Sequence, residues 1–376
     1  MSGSFLFVLL GGIIGSELAP TPGLATLPVS VLIIGLAASV LPAGVLIRRL
    51  GRRRAFVASA LLAGLGCIAA GFGIHAANFW IFCAAALLLG ANNAMVMQYR
   101  FAAVEYVEPE RASKAIAIVM SGALAAAWLG PEIAVRFADI IAGAHYAGSF
   151  FVGTCLYVLA AILLVLTPIS TRTLDKDTRP PRPLAEIARQ TDFRIAVLAA
   201  LVSYAVMSFV MTATPISMHV TDRYDEVATK QVIQGHLLAM YLPSLASGWI
   251  ITRLGIRPVI VAGTLLMATS VAIAAFIGHS VPHYGWALVL LGVGWNLLFI
   301  AGTTLLTRSY RPQERIEVQT VNDFMVFGAQ AIASLMAGVA LATIGWQHLN
   351  LATLPFLAAV LLSLAFAARR RHAPQT

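Results

Sequence analysis

Apolar runs of about 20 residues recur along the whole chain and are separated by short polar connections. This is the length that an α-helix needs to cross the hydrocarbon core of a bilayer. The pattern therefore predicts an all-α membrane protein with twelve transmembrane helices. The expected spans cover about residues 4–20, 25–47, 56–76, 79–103, 112–137, 147–168, 194–218, 228–251, 257–279, 284–306, 316–344 and 347–368.

Basic residues fall mainly in alternate connections. They include five arginines between residues 48 and 54, Arg111 and Lys114, and three arginines at 369–371. The connections on the opposite side hold only Arg136, Arg223 and Lys230. By the positive-inside rule, both termini are expected in the cytoplasm of a multi-pass protein of the bacterial inner membrane.

The longest connection, residues 170–193, is polar and carries three prolines. It reads as a cytoplasmic linker, which divides the chain into a six-helix half at 1–169 and a second at 194–376. An internal repeat at an offset of 204 residues supports this division. The repeated positions are Gly44, Arg49, Gly51 and Arg53 in the first half and Gly248, Arg253, Gly255 and Arg257 in the second.

The first copy of the repeat, GVLIRRLGRRR from Gly44 to Arg54, resembles the loop that major facilitators carry between their second and third helices. The resemblance implies two pseudo-symmetric six-helix bundles, and the repeat marks this loop as a conformational element. The match departs at Arg48 and Thr252, where the family usually has an acidic residue. This departure puts in doubt the charge latch that the family builds there.

The repeat also predicts that the first helix is truncated. The seventh span starts near Arg194, so the offset would start the first one about ten residues before Met1. Residues 4–17 contain too few apolar positions to cross the hydrocarbon core of a bilayer comfortably. A tilted, partly re-entrant helix is the alternative to a start placed downstream of the true one.

Composition excludes several classes of protein. Hydrophobic residues make up 59% of the chain and charged residues 11%, which a water-soluble domain would not tolerate. The net charge of +9 lies in loops rather than on one face, so no nucleic-acid partner is expected. The sequence has no GxSxG motif and no Walker-type glycine loop, so neither an enzyme nor a bound cofactor is expected. Without an ATP-binding segment, uphill transport would draw on an ion gradient, as in a symporter.

Two pairs of residues are candidate metal ligands. Met207 and Met211 are four residues apart on the seventh span, and His236 and Met240 are four apart on the eighth. Each pair shares one helix face near the middle of its span, so the four side chains are expected to converge. Three thioethers and an imidazole suit Cu(I). Spacing alone leaves open that the methionines fill the core and that His236 bonds a neighbouring helix.

The MxxxM followed by HxxxM looks like the signature of the CcoA-like copper importers, a proteobacterial branch of the major facilitators. QYRFAAVEYV from Gln98 and GHLLAMYLPSLASG from Gly235 also fit that branch. The resemblance implies uptake of copper, as the substrate, into the cytoplasm. We expect a monomer, with a possible cytoplasmic copper acceptor protein. Some members of the branch are labelled riboflavin transporters.

Other polar residues inside the spans are candidates for coupling or gating. Glu132 and Arg136 are one helical turn apart and are expected to form an ion pair. Asp323 could carry a coupling proton or pair with a loop arginine, and Arg100 could snorkel to the interface or hold an anion. Asn92, Asn93 and Asn296 could line the central cavity or bond neighbouring helices, and Trp295 and Tyr241 could shape the cavity for an organic substrate.

Two rival functions stay open at this point. The first is a facilitator for an organic solute such as riboflavin or a drug, in which the methionines line an apolar cavity. The second is a transport-dead sensor, which would need signalling partners at the linker. Residues 174–194 show no obvious docking motif.

Overall fold

The computed structural model describes residues 1–99, 102, 112–167 and 181–372, and these residues form helices joined by short turns. The helices are α1 (Ser2–Leu18), α2 (Leu27–Leu50), α3 (Arg52–His75), α4 (Phe79–Val96), α5 (Ala112–Arg136), α6 (Ala147–Leu166), α7 (Leu184–Ala188), α8 (Thr191–Ile216), α9 (Glu226–Tyr241), α10 (Ser244–Leu254), α11 (Ile256–Ala272), α12 (Val281–Thr307), α13 (Arg315–Leu351) and α14 (Leu354–His372). Short π-helical turns extend α8 and α11 at Ser217–Thr221 and Ile273–Ile277.

The helices begin and end at recognisable sequence signals. The side chain of Asn78 caps α4 by accepting hydrogen bonds from two backbone amides, and Asp225 caps α9 by accepting one from Ala228. Gly51 and Gly255 have φ values of 76° and 85° and separate α2 from α3 and α10 from α11. Only glycine adopts this backbone conformation readily, so the repeated glycines mark the same sharp turn in both halves of the sequence.

In the described part of the chain, eight helical segments are long and apolar enough to cross a membrane, or nine if α9 and α10 form one bent span. The eighth span, expected to be continuous over 228–251, is broken by a bend of 46° between α9 and α10. Pro243 lies in the break, where its ring prevents a regular helix from continuing.

Other boundaries also differ from the expected ones. The fourth helix ends at Val96, and α8 begins at Thr191 rather than at 194. Gly345, with a φ of 74°, kinks α13 where the eleventh and twelfth spans were expected to be separate. The first helix has 17 residues, or about 26 Å, a little less than the hydrocarbon thickness of about 30 Å.

The helices before and after the linker form two sets, which we call the first set (α1–α6) and the second set (α8–α14). In the first set α2 and α3 pack against α4, and α3 packs against α6. In the second set α12 packs against α8, α9 and α11. The two sets meet where α2 contacts α13, α5 contacts α9 and α1 contacts α8. Helix α12 thus packs against three other helices of the second set.

We call the side of the bundle that carries the linker the linker side and the other the far side. The far side includes the connections at residues 19–26, 76–78, 137–146, 217–225 and 278–280. Here Ser30 and Ser334 hydroxyls lie 2.9 Å apart across the two sets, and Gln234 donates to the carbonyl of Trp128 at 3.0 Å. These contacts hold the two sets together on the far side.

Candidate substrate site

An aromatic cluster lies around α12 in the second set. The ring centroid of Trp295 is 5.1 Å from that of Tyr204 on α8 and 5.4 Å from that of Phe299, with which it stacks at 14°. Tyr241, at the end of α9, is 6.3 Å from Trp295 and 6.0 Å from Phe5 of the first set. We use the term aromatic cluster for Phe5, Tyr204, Tyr241, Trp295, Phe299 and Phe327. The cluster joins α8, α9, α12 and α13 and reaches the first set through Phe5.

Several buried polar atoms on α9, α12 and α13 have no hydrogen-bond partner among the described residues. They are Nε1 of Trp295, Oδ1 of Asn296 and Nε2 of His236, with the side-chain oxygen of Gln330 on α13. A buried polar group without a partner costs about 1–3 kcal/mol, so each such group favours a ligand or water that can bond it. Within the cluster, Trp295 therefore has an unused donor beside the flat apolar faces of the rings.

His236 is fully buried on α9, and its Nδ1 lies 2.7 Å from the carbonyl oxygen of Leu288 on α12. A carbonyl oxygen only accepts, so Nδ1 carries the proton of the bond. In a neutral ring Nε2 then holds a free lone pair, which can accept a hydrogen bond or bind a metal ion. The alternative that His236 bonds a neighbouring helix is observed, yet only through one of its two nitrogens.

The four predicted metal ligands lie on two helices. Met207 and Met211 are buried on the face of α8 that also carries Tyr204, whereas Met240 shares a face of α9 with His236. Helices α8 and α9, expected to be packed neighbours, make little direct contact, because α12 lies against both. Within the described residues no group of three or more His, Cys, Asp or Glu side chains could hold a metal, so a site here would depend on thioethers. The role of the four residues as ligands stays a prediction.

Asn296 on α12 forms hydrogen bonds on both sides of the break between α9 and α10. Its Nδ2 donates to the carbonyl of Met240 and to the hydroxyl of Ser244, both at 2.6 Å. In the first set, the repeat-equivalent Asn92 instead accepts a hydrogen bond from Ser59 at 2.9 Å. Both asparagines bond neighbouring helices, as the alternative interpretation of them stated.

The predicted ion pair between Glu132 and Arg136 is present, with Nε of Arg136 at 3.0 Å from Oε2 of Glu132. The other carboxylate oxygen of Glu132 lies 2.9 Å from Nζ of Lys230 on α9. Sequence reasoning missed this contact between the two sets. Glu226, Lys230 and Gln234 recur every four residues and form a polar stripe on one face of α9, which was the available signal.

The two remaining gating candidates are Asp323 and Arg100. Asp323 accepts a hydrogen bond from the adjacent Asn322 at 3.1 Å and makes a further interaction, so its proposed proton-carrying role stays a prediction. Arg100 lies outside the described residues.

In the repeated loops, the arginines find partners other than the missing acidic residue. Arg257 bonds Asp192 in the first turn of α8 at 2.8 Å, and Arg253 lies 5.0 Å from the ring centroid of Trp249. Arg53 donates to the carbonyl of Val165. Gly44 and Gly248 lie in the last turns of α2 and α10, where their surroundings would admit a larger side chain. In the second set, Asp192 thus provides a carboxylate for the repeated loop, where Thr252 stands in place of the acidic residue.

The linker is tied to the second set by Arg182, which makes a bidentate pair with Glu314 at 2.8 and 2.9 Å. The hydrogen bond from Arg182 holds the pKa of the Glu314 carboxyl well below its usual range, with burial opposing and backbone amides of Arg311 and Arg182 assisting. The pair therefore stays ionised across physiological pH.

Comparison with known proteins identifies the architecture. The family model of the Major Facilitator Superfamily matches residues 1–242 and, in a second overlapping match, residues 196–376. The chain belongs to the major facilitator superfamily. Its two sets, its repeated loops and its many apolar spans are those of a multi-pass membrane transporter.

Two curated relatives extend over nearly the whole chain. The riboflavin transporter RfnT of Brucella anthropi is 40% identical over 363 residues, which are 96% of this chain and 90% of the relative. An uncharacterised MFS-type transporter of Bacillus subtilis, YdeG, is 28% identical over 92% of this chain and 83% of its own length.

Two solved structures share the fold. A bacterial homologue of the human lysosomal transporter Spinster, in an inward-facing and unoccupied conformation, has a TM-score of 0.73 at 15% identity and covers 98% of this chain and 94% of its own. The fucose:proton symporter FucP of E. coli has a TM-score of 0.60 at 17% identity, with 97% of each chain covered. At these identities the likeness concerns the fold alone.

Proposed function

We propose that this transporter carries a planar organic solute of the flavin class, riboflavin, across the membrane by alternating access. The observation that carries the proposal is the 40% identity over nearly the full length with a relative named as a riboflavin transporter. Copper import, the function first favoured by the sequence, has no comparable support from the relatives. An organic solute is the alternative that the sequence left open.

The aromatic cluster supports this choice of solute. A flavin ring system is flat and apolar on both faces, and aromatic side chains bind such rings by offset stacking or edge contacts. One edge of the flavin carries carbonyl oxygens and an N–H group. The free N–H of Trp295 can donate to a carbonyl, while Nε2 of His236 and Oδ1 of Asn296 can accept. The ring and its polar edge would thus meet complementary groups in one region.

The direction of transport follows from the expected topology. With the basic connections and the linker in the cytoplasm, the far side faces the periplasm of a bacterial inner membrane. Closure of the far side in this structure then corresponds to the stage at which solute is released inward. Uptake against a gradient would draw on an ion gradient.

Expression of the chain in a riboflavin auxotroph without its own importer should restore growth at low external riboflavin. Labelled riboflavin should accumulate in the same cells and be displaced by excess unlabelled vitamin, because both compete for one saturable site. Growth and uptake no better than those of cells with an empty vector would overturn the proposal.

Copper is a second candidate, favoured by one observation. The imidazole of His236 donates through Nδ1 to a backbone carbonyl and leaves Nε2 free, which is the usual arrangement of a metal-binding histidine. The buried thioether of Met240 lies one turn away on the same helix face, and thioether and imidazole together suit Cu(I).

Radiolabelled copper uptake, measured in cells lacking their own importer, tests this candidate. If copper is carried, the variant with Met211→Ala and His236→Ala should lose at least about tenfold in uptake, because site ligands are removed from two helices. The control is Met336→Ala, an exposed methionine of α13. Copper uptake that is unchanged in the double variant, with riboflavin uptake reduced, would exclude copper as the cargo of this site.

A further inference from the structure

A histidine joins the two helix sets on the far side. His145 lies in the connection between α5 and α6, with its Nδ1 at 2.7 Å from Oδ1 of Asp139 in the same connection. Its Nε2 is 3.0 Å from Oε1 of Glu226, the first residue of α9. The imidazole therefore bridges a carboxylate of the first set and a carboxylate of the second.

This bridge requires a particular protonation state. An ionised carboxylate only accepts hydrogen bonds, and a neutral imidazole has one N–H and one lone pair. Both bonds of His145 can exist together only when the ring is an imidazolium with two N–H groups. If the ring loses a proton, one lone pair faces a carboxylate oxygen at about 3 Å and the contact becomes repulsive.

The charges around His145 favour the protonated ring. Partial burial lowers the pKa of His145, but the hydrogen bonds to Glu226 and Asp139 and the charges of both carboxylates outweigh it, so its pKa lies above the ordinary value. Tyr146 packs against the imidazole with ring centroids 3.9 Å apart. Glu17, at the end of α1, adds a further negative charge near Tyr146.

The other charged groups at this contact include two ion pairs. Lys230 lies one turn from Glu226 on α9 and pairs with Glu132, which also pairs with Arg136. Free lysine, arginine and glutamate side chains have ordinary pKa values outside the range from about pH 5 to pH 8, whereas that of histidine lies within it. The attraction between the two sets that depends on pH therefore comes from His145.

We propose that His145 is a proton-operated latch: as an imidazolium held between Asp139 and Glu226, it fastens the two sets on the far side, and its deprotonation releases them. The latch is complete below the ordinary pKa of a free histidine, about 6.5, and is lost as the pH rises through the raised pKa of the bridged ring. Acidity on the far side therefore favours closure of that side. The latch acts on the conformational change itself, whichever solute is carried.

Distance measurement between spin labels tests the latch. Labels are placed at Ala142 of the first set and His348 of the second, both exposed, with the exposed Cys155 replaced by serine. In nanodiscs, the population with the short distance should rise about two- to threefold from about pH 8 to about pH 5.5, as expected for an exposed charged contact. The variant His145→Gln should remove this dependence, and His145→Arg, a permanent cation with several donors, should keep the short distance at both pH values.

His279 provides the matched control. It pairs with Asp222 at 3.4 Å on the same side, but both residues belong to the second set, so His279→Gln should retain the response of the wild type. Glu226→Gln should weaken closure at acidic pH, because the charge that faces the imidazolium is lost. A wild type with no pH response, or His145→Gln with the full response, would overturn the proposal. Riboflavin uptake plays no part in this readout, so the result stands apart from the proposed substrate.

Discussion

Replacing Trp295 by alanine should raise the apparent KM for riboflavin by about 5- to 150-fold. Stacking of a flat heteroaromatic ring on an aromatic side chain contributes about 1–3 kcal/mol, and 1.4 kcal/mol corresponds to a factor of ten. Trp295 contacts Tyr204, Tyr241 and Phe299, so its loss also removes the centre of the aromatic cluster. Initial rates of labelled riboflavin uptake over a range of concentrations give KM and the maximal rate separately.

Two further variants separate binding from folding. Trp295→Phe keeps a ring in place but lacks the N–H, so it should show a smaller rise in KM if the free Nε1 donates to the solute. Trp346→Phe is the matched control, since Trp346 is a buried tryptophan of the same set that packs on Tyr284 at 5.1 Å, away from the cluster. Uptake by Trp295→Ala with an unchanged KM, in protein that elutes as a single folded species, would refute the assignment of the cluster to substrate binding.

Replacing Gly90 by alanine should prevent stable folding of the first set. A Cβ atom at this position would lie 2.0 Å from the carbonyl oxygen of Leu32 and 2.9 Å from the backbone nitrogen of Leu36. Both atoms belong to the backbone of α2, so the helices α2 and α4 would have to separate along their closely packed contact. Overpacking of this kind costs at least about 1–3 kcal/mol. The expected result is a large loss of monodisperse protein after detergent extraction and a lower melting temperature.

Gly328→Ala is the control for this prediction. Gly328 lies inside α13, and a methyl group added there would have no neighbouring atom within 4 Å. The substitution should therefore be neutral or stabilise by about 0.5–1 kcal/mol through the lower entropy of the unfolded chain. Equal yields and melting temperatures for the two variants would show that the contact of α2 with α4 is not as close as described.

Local features of this protein could be predicted from the sequence. The spans follow from runs of apolar residues, and the turns at Gly51 and Gly255 follow from the repeat at an offset of 204 residues. The Glu132–Arg136 pair was predicted because residues four apart share a helix face. Each of these features depends on residues that are close in sequence.

Partners that are distant in sequence escaped prediction. Lys230 was read only as a loop charge, although it pairs with Glu132 of the other set. Asp192 was not recognised as the partner of Arg257. The sequence resemblance favoured copper through Met207 and His236, whereas a relative that is 40% identical over nearly the full length is named for riboflavin. Short motifs do not identify a cargo when they also fit a buried helix face.

By itself the sequence determined that the protein is an all-α membrane transporter with a repeated architecture, because hydropathy and helical periodicity are properties of neighbouring residues. Only the tertiary structure decided that α12 packs between α8 and α9, that aromatic rings from four helices and Phe5 form one connected cluster, and that His145 bridges the two sets. These outcomes depend on how helices pack, which is set by contacts between residues far apart in the chain.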